Sequence, residues 1–377
     1  MGAIERSWTP SRWAVIKDAR RRQRRRQRRI LTVAAVLLLA AAAGWVIARD
    51  SRSGVAPTPP PVTVGTVEQL HLGGVVQDTT TFEGNVWVLT CLRHCSDFFS
   101  AASAGQLIEL TANGQPIKRF PVADPTVLTS GAGALWIAHF DTGDVSRINP
   151  QTGMTTATTH VQLAKTFTTS GWRRFEPSAL SFGAGRIWAS DGFGFVAEIN
   201  PRTARVERIV FTSSEATSST SAAGLTWVAD ELDGVGTFAA GSNHVAIHLI
   251  SWGGQPGVDV GTVAYGAGLV WAFGSQTSYL TSLTHPTYVG VVTTFDPRTG
   301  RITHQWRISS QASAMVVGNG NAYVSDDNDG RLLRLTPPHG VQILHGPAGA
   351  QLTAVTPHAL WAINRHGQLL RIGLTTR

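Results

Sequence analysis

The chain has 377 residues, 42% of them hydrophobic and 15% charged, with a formal net charge of +8. The charge sits at one end: residues 1–29 carry eleven Lys and Arg against two acids, and the remaining 348 carry 21 against 22. The folded part, net −1, has no global attraction to nucleic acid. Its two cysteines exclude a disulfide scaffold, which a region of this size does not need.

Residues 20–29 read R-R-R-Q-R-R-R-Q-R-R, and residues 30–48 are nineteen uncharged residues of Leu, Ala, Val, Ile, Gly, Thr and one Trp. Nineteen helical residues rise about 28 Å, close to the roughly 30 Å of bilayer hydrocarbon. The segment has no polar face, which argues against a soluble core helix. The arginines hold residues 1–29 in the cytoplasm against anionic headgroups, while only Arg49 and Arg52 flank the other end. The expectation is a basic cytoplasmic tail at 1–29, a transmembrane signal anchor at 30–48 and a C-terminus outside the cell membrane. Ala41-Ala42-Ala43 leaves a cleaved signal peptide as the alternative, although leader and apolar core are both long for one. Residues 49–61 hold Pro57, Pro59, Pro60 and Pro61 among small residues and read as a semi-extended linker.

Residues 131–153 read G-A-G-A-L-W-I-A-H-F-D-T-G-D-V-S-R-I-N-P-Q-T-G. Two apolar-rich runs, 135–138 and 145–148, are split by a polar break at 141–144. Glycines precede the first run and Asn-Pro-x-Thr-Gly follows the second, as in short antiparallel strands joined by turns. The phrase returns at 183–205, at 266–300 with an insertion, and more faintly at 318–340. The aromatic after the glycine turn marks seven repeats: Trp87, Trp136, Trp188, Trp227, Trp271, Tyr323 and Trp361. Their spacings of 49, 52, 39, 44, 52 and 38 residues suit a four-stranded propeller blade.

In the second repeat, strand A is expected at 126–130, B at 135–139, C at 144–149 and D at 155–161. Gly131-Ala132-Gly133 forms the A–B turn and Asn149-Pro150-Gln151-Thr152-Gly153 the C–D turn. The last repeat ends after its third strand, 368–374, and the strand-like segment 62–70 belongs to no complete blade. That N-terminal strand is expected to supply the missing outer strand, closing the ring and removing unpaired edges. The fold class is all-β: a seven-bladed β-propeller of four-stranded antiparallel blades over residues 62–377, preceded by one transmembrane helix.

The L-W-x-x … x-I-N/D-P-x-T-G phrase resembles the seven-bladed propellers of the virginiamycin B lyase-like and NHL/YVTN-type groups, over nearly all of residues 62–377. For activity, that resemblance implies opening of a macrocyclic lactone with a magnesium ion and a His/Glu acid–base set on one face. His139 and Glu231 are the residues of those types near the corresponding strand ends.

In a propeller the A–B and C–D turns share one face, here the turn face, and the B–C and D–A connections share the other, the loop face. The turns are short and stereotyped in this chain, whereas the connections vary, so a site is expected on the loop face. The first and fifth repeats carry long B–C segments, 90–105 and 274–290. The D–A connection 162–178 holds Trp172, Arg173, Arg174 and Phe175, and 251–261 holds Trp252. Exposed aromatics beside arginine mark a binding surface, unless the loops pack on one another.

Three residues past each aromatic stand Thr90, His139, Asp191, Asp230, Gly274, Asp326 and Asn364. Carboxylates, an imidazole and an amide at that place suit a polar ligand rim or a divalent cation such as magnesium or calcium. They equally suit capping of the B–C turns. Asp326-Asp327-Asn328-Asp329-Gly330 lacks the Glu of a calcium loop and reads as a polar hairpin. Cys91 and Cys95 are expected to form a disulfide outside the membrane, since a zinc site would find only His94 beside them. No G-x-S-x-G elbow, P-loop or H-E-x-x-H motif and no cofactor fingerprint is present.

The sequence thus describes a single-pass, N-in protein displaying a propeller outside the cell membrane, with a composition that suits a high-GC bacterium. The module binds or scaffolds a protein, glycan or small ligand. The alternative is a metal-assisted lyase or hydrolase.

Overall fold

The computed structural model describes residues 62–93, 104–163, 174–212, 216–230, 234–252, 255–278, 287–309, 312–326 and 330–376. The tail, apolar segment and linker at 1–61 lie outside them. Among the described residues no helix is long and apolar enough to cross a membrane.

Seven antiparallel four-stranded sheets follow one another in chain order. Blade 2 is built from Val127–Gly131, Ala134–His139, Asp144–Ile148 and Thr155–His160, with boundaries close to those the turn residues set. Blade 7 takes Gln351–Thr356, Ala359–Ile363 and Leu369–Thr376 from the C-terminus and Val62–Leu70 from the N-terminus. The outer pairing runs from Val62↔Thr376 to Leu70↔Leu369, with a bulge between Val64 and Val67. The ring therefore closes through its first strand, as the sequence predicts. Strand A of each blade touches strand A of the next, and blade 7 returns to blade 1.

The core lies between the blades. All seven strand-B aromatics are at most 1% exposed, and each packs onto the following blade. Trp87 meets Leu128, Leu135, Ile137 and Ile148 of blade 2. Trp188 meets Ala216, Val228 and Phe238 of blade 4. Trp361 meets Val76, Val86, Val88, Ile108 and Leu110 of blade 1. A blade alone leaves its aromatic uncovered, so closure itself contributes stability.

The A–B turns of blades 1 to 6 share one geometry. Their two central residues both have positive φ: 51° and 72° at Ala132-Gly133, 55° and 75° at Ala267-Gly268, 52° and 78° at Asn319-Gly320. This is the type I′ turn that matches strand twist, here with alanine in a left-handed position that usually takes Asn or Gly. In blades 2, 3 and 5 the glycine five residues before the Trp accepts its indole N–H, each at 3.1 Å. A side chain at Gly131 would fall into the ring of Phe182, which blade 3 lays against it.

One expectation about a loop is corrected. In blade 5 the extra length lies largely in strands, Leu269–Ser278 and Thr287–Phe295, paired out to Ser278↔Thr287. In blade 1, strand B runs to Arg93 and strand C starts at Ala104, and residues 94–103 between them lie outside the described residues. Pairing continues because every added residue satisfies its backbone groups in the ladder. The connection after blade 4 contains a small hairpin, Ser251–Trp252 with Gln255–Pro256.

Candidate functional site

On the turn face, Asn149, Asn200 and Asp296 hold the C–D turns by accepting two backbone N–H groups each, at 2.8–3.4 Å. The loop face is irregular. At its blade 3 edge, Asp191 Oδ1 accepts the N–H groups of Phe193 at 2.8 Å and Phe195 at 3.0 Å. The tight Asp-Gly-Phe-Gly-Phe turn leaves Phe193 48% exposed, and Phe211, at the end of strand D of the same blade, is 51% exposed. Phe211 packs on Phe195 with ring centroids 5.0 Å apart. The sequence reading missed this aromatic pair, although the G-F-G-F run after a capping aspartate was its signal.

The three aspartates expected on a rim are all buried: Asp191 is 1% exposed, Asp230 0% and Asp326 4%. Asp230 pairs with Ala216 and Gly234, and Asp326 with Ala312, at the ends of their ladders. Asn364 caps its turn, accepting from His366 N at 2.9 Å and Gln368 N at 3.0 Å. It also lines a cavity of about 340 Å³ with Val75, Gly349, Gln351, Arg365 and Gly367, where blades 7 and 1 meet.

His139 is half-buried, with Nδ1 3.0 Å from the Asp124 carbonyl and Nε2 2.9 Å from Ser146 Oγ. A carbonyl only accepts, so this geometry assigns the proton to Nδ1 and leaves Nε2 to the serine hydroxyl. Beside it, burial and the carboxylates of Asp124 and Glu176 push Asp141 up, against the pull of Arg174. Arg174 is exposed, and its stem lies by Gly143 of the B–C turn, with Phe175 buried behind it. This part of 162–178 packs on blade 2. Trp172, Arg173 and Glu231 lie outside the described residues.

Among the described residues no three His, Cys, Asp or Glu side chains are placed to hold a metal ion together. Cys91 is buried and disulfide-bonded, and the chain's other cysteine, Cys95, lies outside the described residues.

Asp78 is a second group the sequence reading did not single out. It stands on strand A of blade 1, with Oδ1 accepting Thr79 N at 2.7 Å and Oδ2 accepting Leu128 N of blade 2 at 2.8 Å. Burial pushes its carboxyl up to about 6, against these two bonds. A raised folded-state value means that stability is fully present below the unfolded value of about 3.9 and is lost as pH rises through about 6. The wild type is therefore expected to gain on the order of 2 kcal/mol between pH 7 and pH 4, relative to Asp78→Asn. Denaturant midpoints of both proteins across that range check it, and parallel curves would refute it. The comparison removes His248, whose burial lowers its pKa and whose contribution is lost as pH falls.

No family model and no curated protein matches the chain. Its structure is similar to that of the Neurospora crassa Pan2 WD40 domain, with TM-score 0.59, 10% identity and coverage of 84% of this chain and 97% of that one. It is also similar to virginiamycin B lyase from Staphylococcus aureus, with TM-score 0.60, 12% identity and coverage of 84% and 100%. At these identities the likeness shows the fold, a seven-bladed β-propeller.

Proposed function

We propose that the protein is an anchored, extracytoplasmic binding module whose loop face recognises its partner through the Phe193–Phe211 edge of blade 3. The anchor is the apolar segment 30–48, held N-in by the arginines before it. The single observation that carries the recognition surface is the half-exposed Phe193 on a turn that Asp191 fixes, with the half-exposed Phe211 ending strand D of the same blade. A rigid aromatic anchor on a prepared turn loses little entropy on binding, which is how hot spots work. A protein or glycan with an apolar patch is the class of partner that such a flat edge fits.

The test has two arms. A reporter fused after Arg377 is expected outside the cell membrane and in the membrane fraction; activity in the cytoplasm refutes the orientation. Immobilised propeller is exposed to cell-envelope extract and compared with Phe193→Ala/Phe211→Ala. The variant is expected to melt like the wild type and to lose at least tenfold in retained partner, about 1.4 kcal/mol. Equal retention by both proteins refutes the assignment of this edge.

A further inference from the structure

We infer that the turn face of the ring is a surface for anionic lipid headgroups, contacted by Arg202, Arg205, Arg298 and Arg301. The four side chains are exposed on and beside the C–D turns of blades 3 and 5. Among the described residues none of them forms an ion pair. The acids nearby are already engaged. Asp296 accepts the N–H groups of Arg298 and Thr299, which hold its carboxyl below the usual range. Glu207 binds Asn200 and Arg186. His244, exposed on the C–D turn of blade 4, stands between the two arginine pairs. Three adjacent blades thus present one arc of cationic or cation-ready groups, while the exposed Glu83 of this face sits in blade 1.

The choice of a lipid surface comes from where the chain enters the ring. Val62 pairs with Thr376, and Leu374 N donates to the carbonyl of His358 in the A–B turn of blade 7 at 2.7 Å. Residues 1–61 therefore join the propeller at its turn face. Blade 7 is three blades from blade 4 in one direction and four in the other, so entry point and arginine arc lie across the ring from each other. A disc held at both sides rests with its turn face toward the bilayer. Asp124, Asp141, Asp191, Asp230, Asp259 and Asp326 all lie at the other face, directed away from anionic headgroups. Guanidinium groups pair with phosphate oxygens in a fork, and each basic residue at an anionic leaflet is worth roughly fivefold in partition.

This inference rests on the anchored reading for the identity of the surface, and its test separates the two. Pro59–Arg377 is one compact unit that contains every strand of the ring. It is mixed with vesicles of phosphatidylcholine alone and of phosphatidylcholine with phosphatidylglycerol, at low and high salt. Partition is expected on the anionic vesicles only, with loss at high salt. The combined variant Arg202→Glu, Arg205→Glu, Arg298→Glu and Arg301→Glu is expected to lose about a hundredfold or more in partition. Its melting should match the wild type, and the Arg→Gln set at the same positions guards against a folding defect. Arg307→Glu, near the loop-face end of blade 5, should change nothing. Equal binding to neutral vesicles, retained binding by the fourfold variants, or binding to soluble polyphosphate without any vesicle partition overturns the inference. A cytoplasmic reporter at Arg377 refutes the anchored reading and leaves the vesicle result standing. Absent partition beside an external reporter refutes only the lipid surface.

Discussion

A chain that begins at His71 is expected to lose its ring, while one that begins at Pro59 keeps it. The difference is the single strand Val62–Leu70, which pairs with Leu369–Thr376 as the outer strand of blade 7. Without it, the ladder groups of Leu369–Thr376 face water on one side, and Leu369, Leu370 and Ile372, each at most 4% exposed, lose cover. The bond from Gln342 Nε2 of blade 6 to the Val62 carbonyl, 2.8 Å, goes as well. Closure is a property of the whole ring, so the expected loss is a large part of the about 5–15 kcal/mol that holds a domain together. It should appear as a broad, early melting transition and as aggregation through the exposed edge. Adding residues 62–70 as a separate peptide should restore part of the transition. Matching melting curves for the two truncations would show that the strand is dispensable.

The parts of this fold that were legible are those written locally. A strand-B aromatic, a glycine turn before it and an Asx-Pro turn after it lie within about twenty residues, and each carries its own turn chemistry. Counting them gave seven blades, and the missing last strand pointed to the N-terminus. What local sequence did not carry is what neighbouring blades supply. Asp78 is held by Leu128, fifty positions on. Gly131 is needed because Phe182 of the next blade occupies the space over it. The aspartates after the aromatics suit a rim and turn caps alike, because both draw on the same residue types; the structure shows Asp191 holding its own turn. The long segment of blade 5 looked like loop because pairing beyond the motif leaves no turn signal behind.

The second large effect is expected at Trp361, the aromatic that closes the seam between blades 7 and 1. Its ring is 0% exposed and packs on Val76, Val86, Val88, Ile108 and Leu110. Trp361→Ala opens a cavity that these strands cannot fill without breaking their pairing, so the cost should be about 3–5 kcal/mol. Phenylalanine at the same place distinguishes packing from hydrogen bonding. The indole N–H of Trp361 has no partner, as at Trp87 and Trp227, and in these three blades Thr356, Phe82 and Ala222 stand where blades 2, 3 and 5 place glycine. At Trp136 the N–H donates to the Gly131 carbonyl at 3.1 Å. Trp136→Phe therefore loses volume and a buried hydrogen bond, an added cost of about 0.5–1.5 kcal/mol. Trp361→Phe loses the same volume but removes an unsatisfied donor. The expected order of cost is Trp361→Ala above Trp136→Phe above Trp361→Phe, read from denaturant midpoints at constant slope. If Trp361→Phe proved as costly as Trp136→Phe, the glycine five residues upstream would be there for the turn and the neighbouring blade alone, with no share in holding the indole.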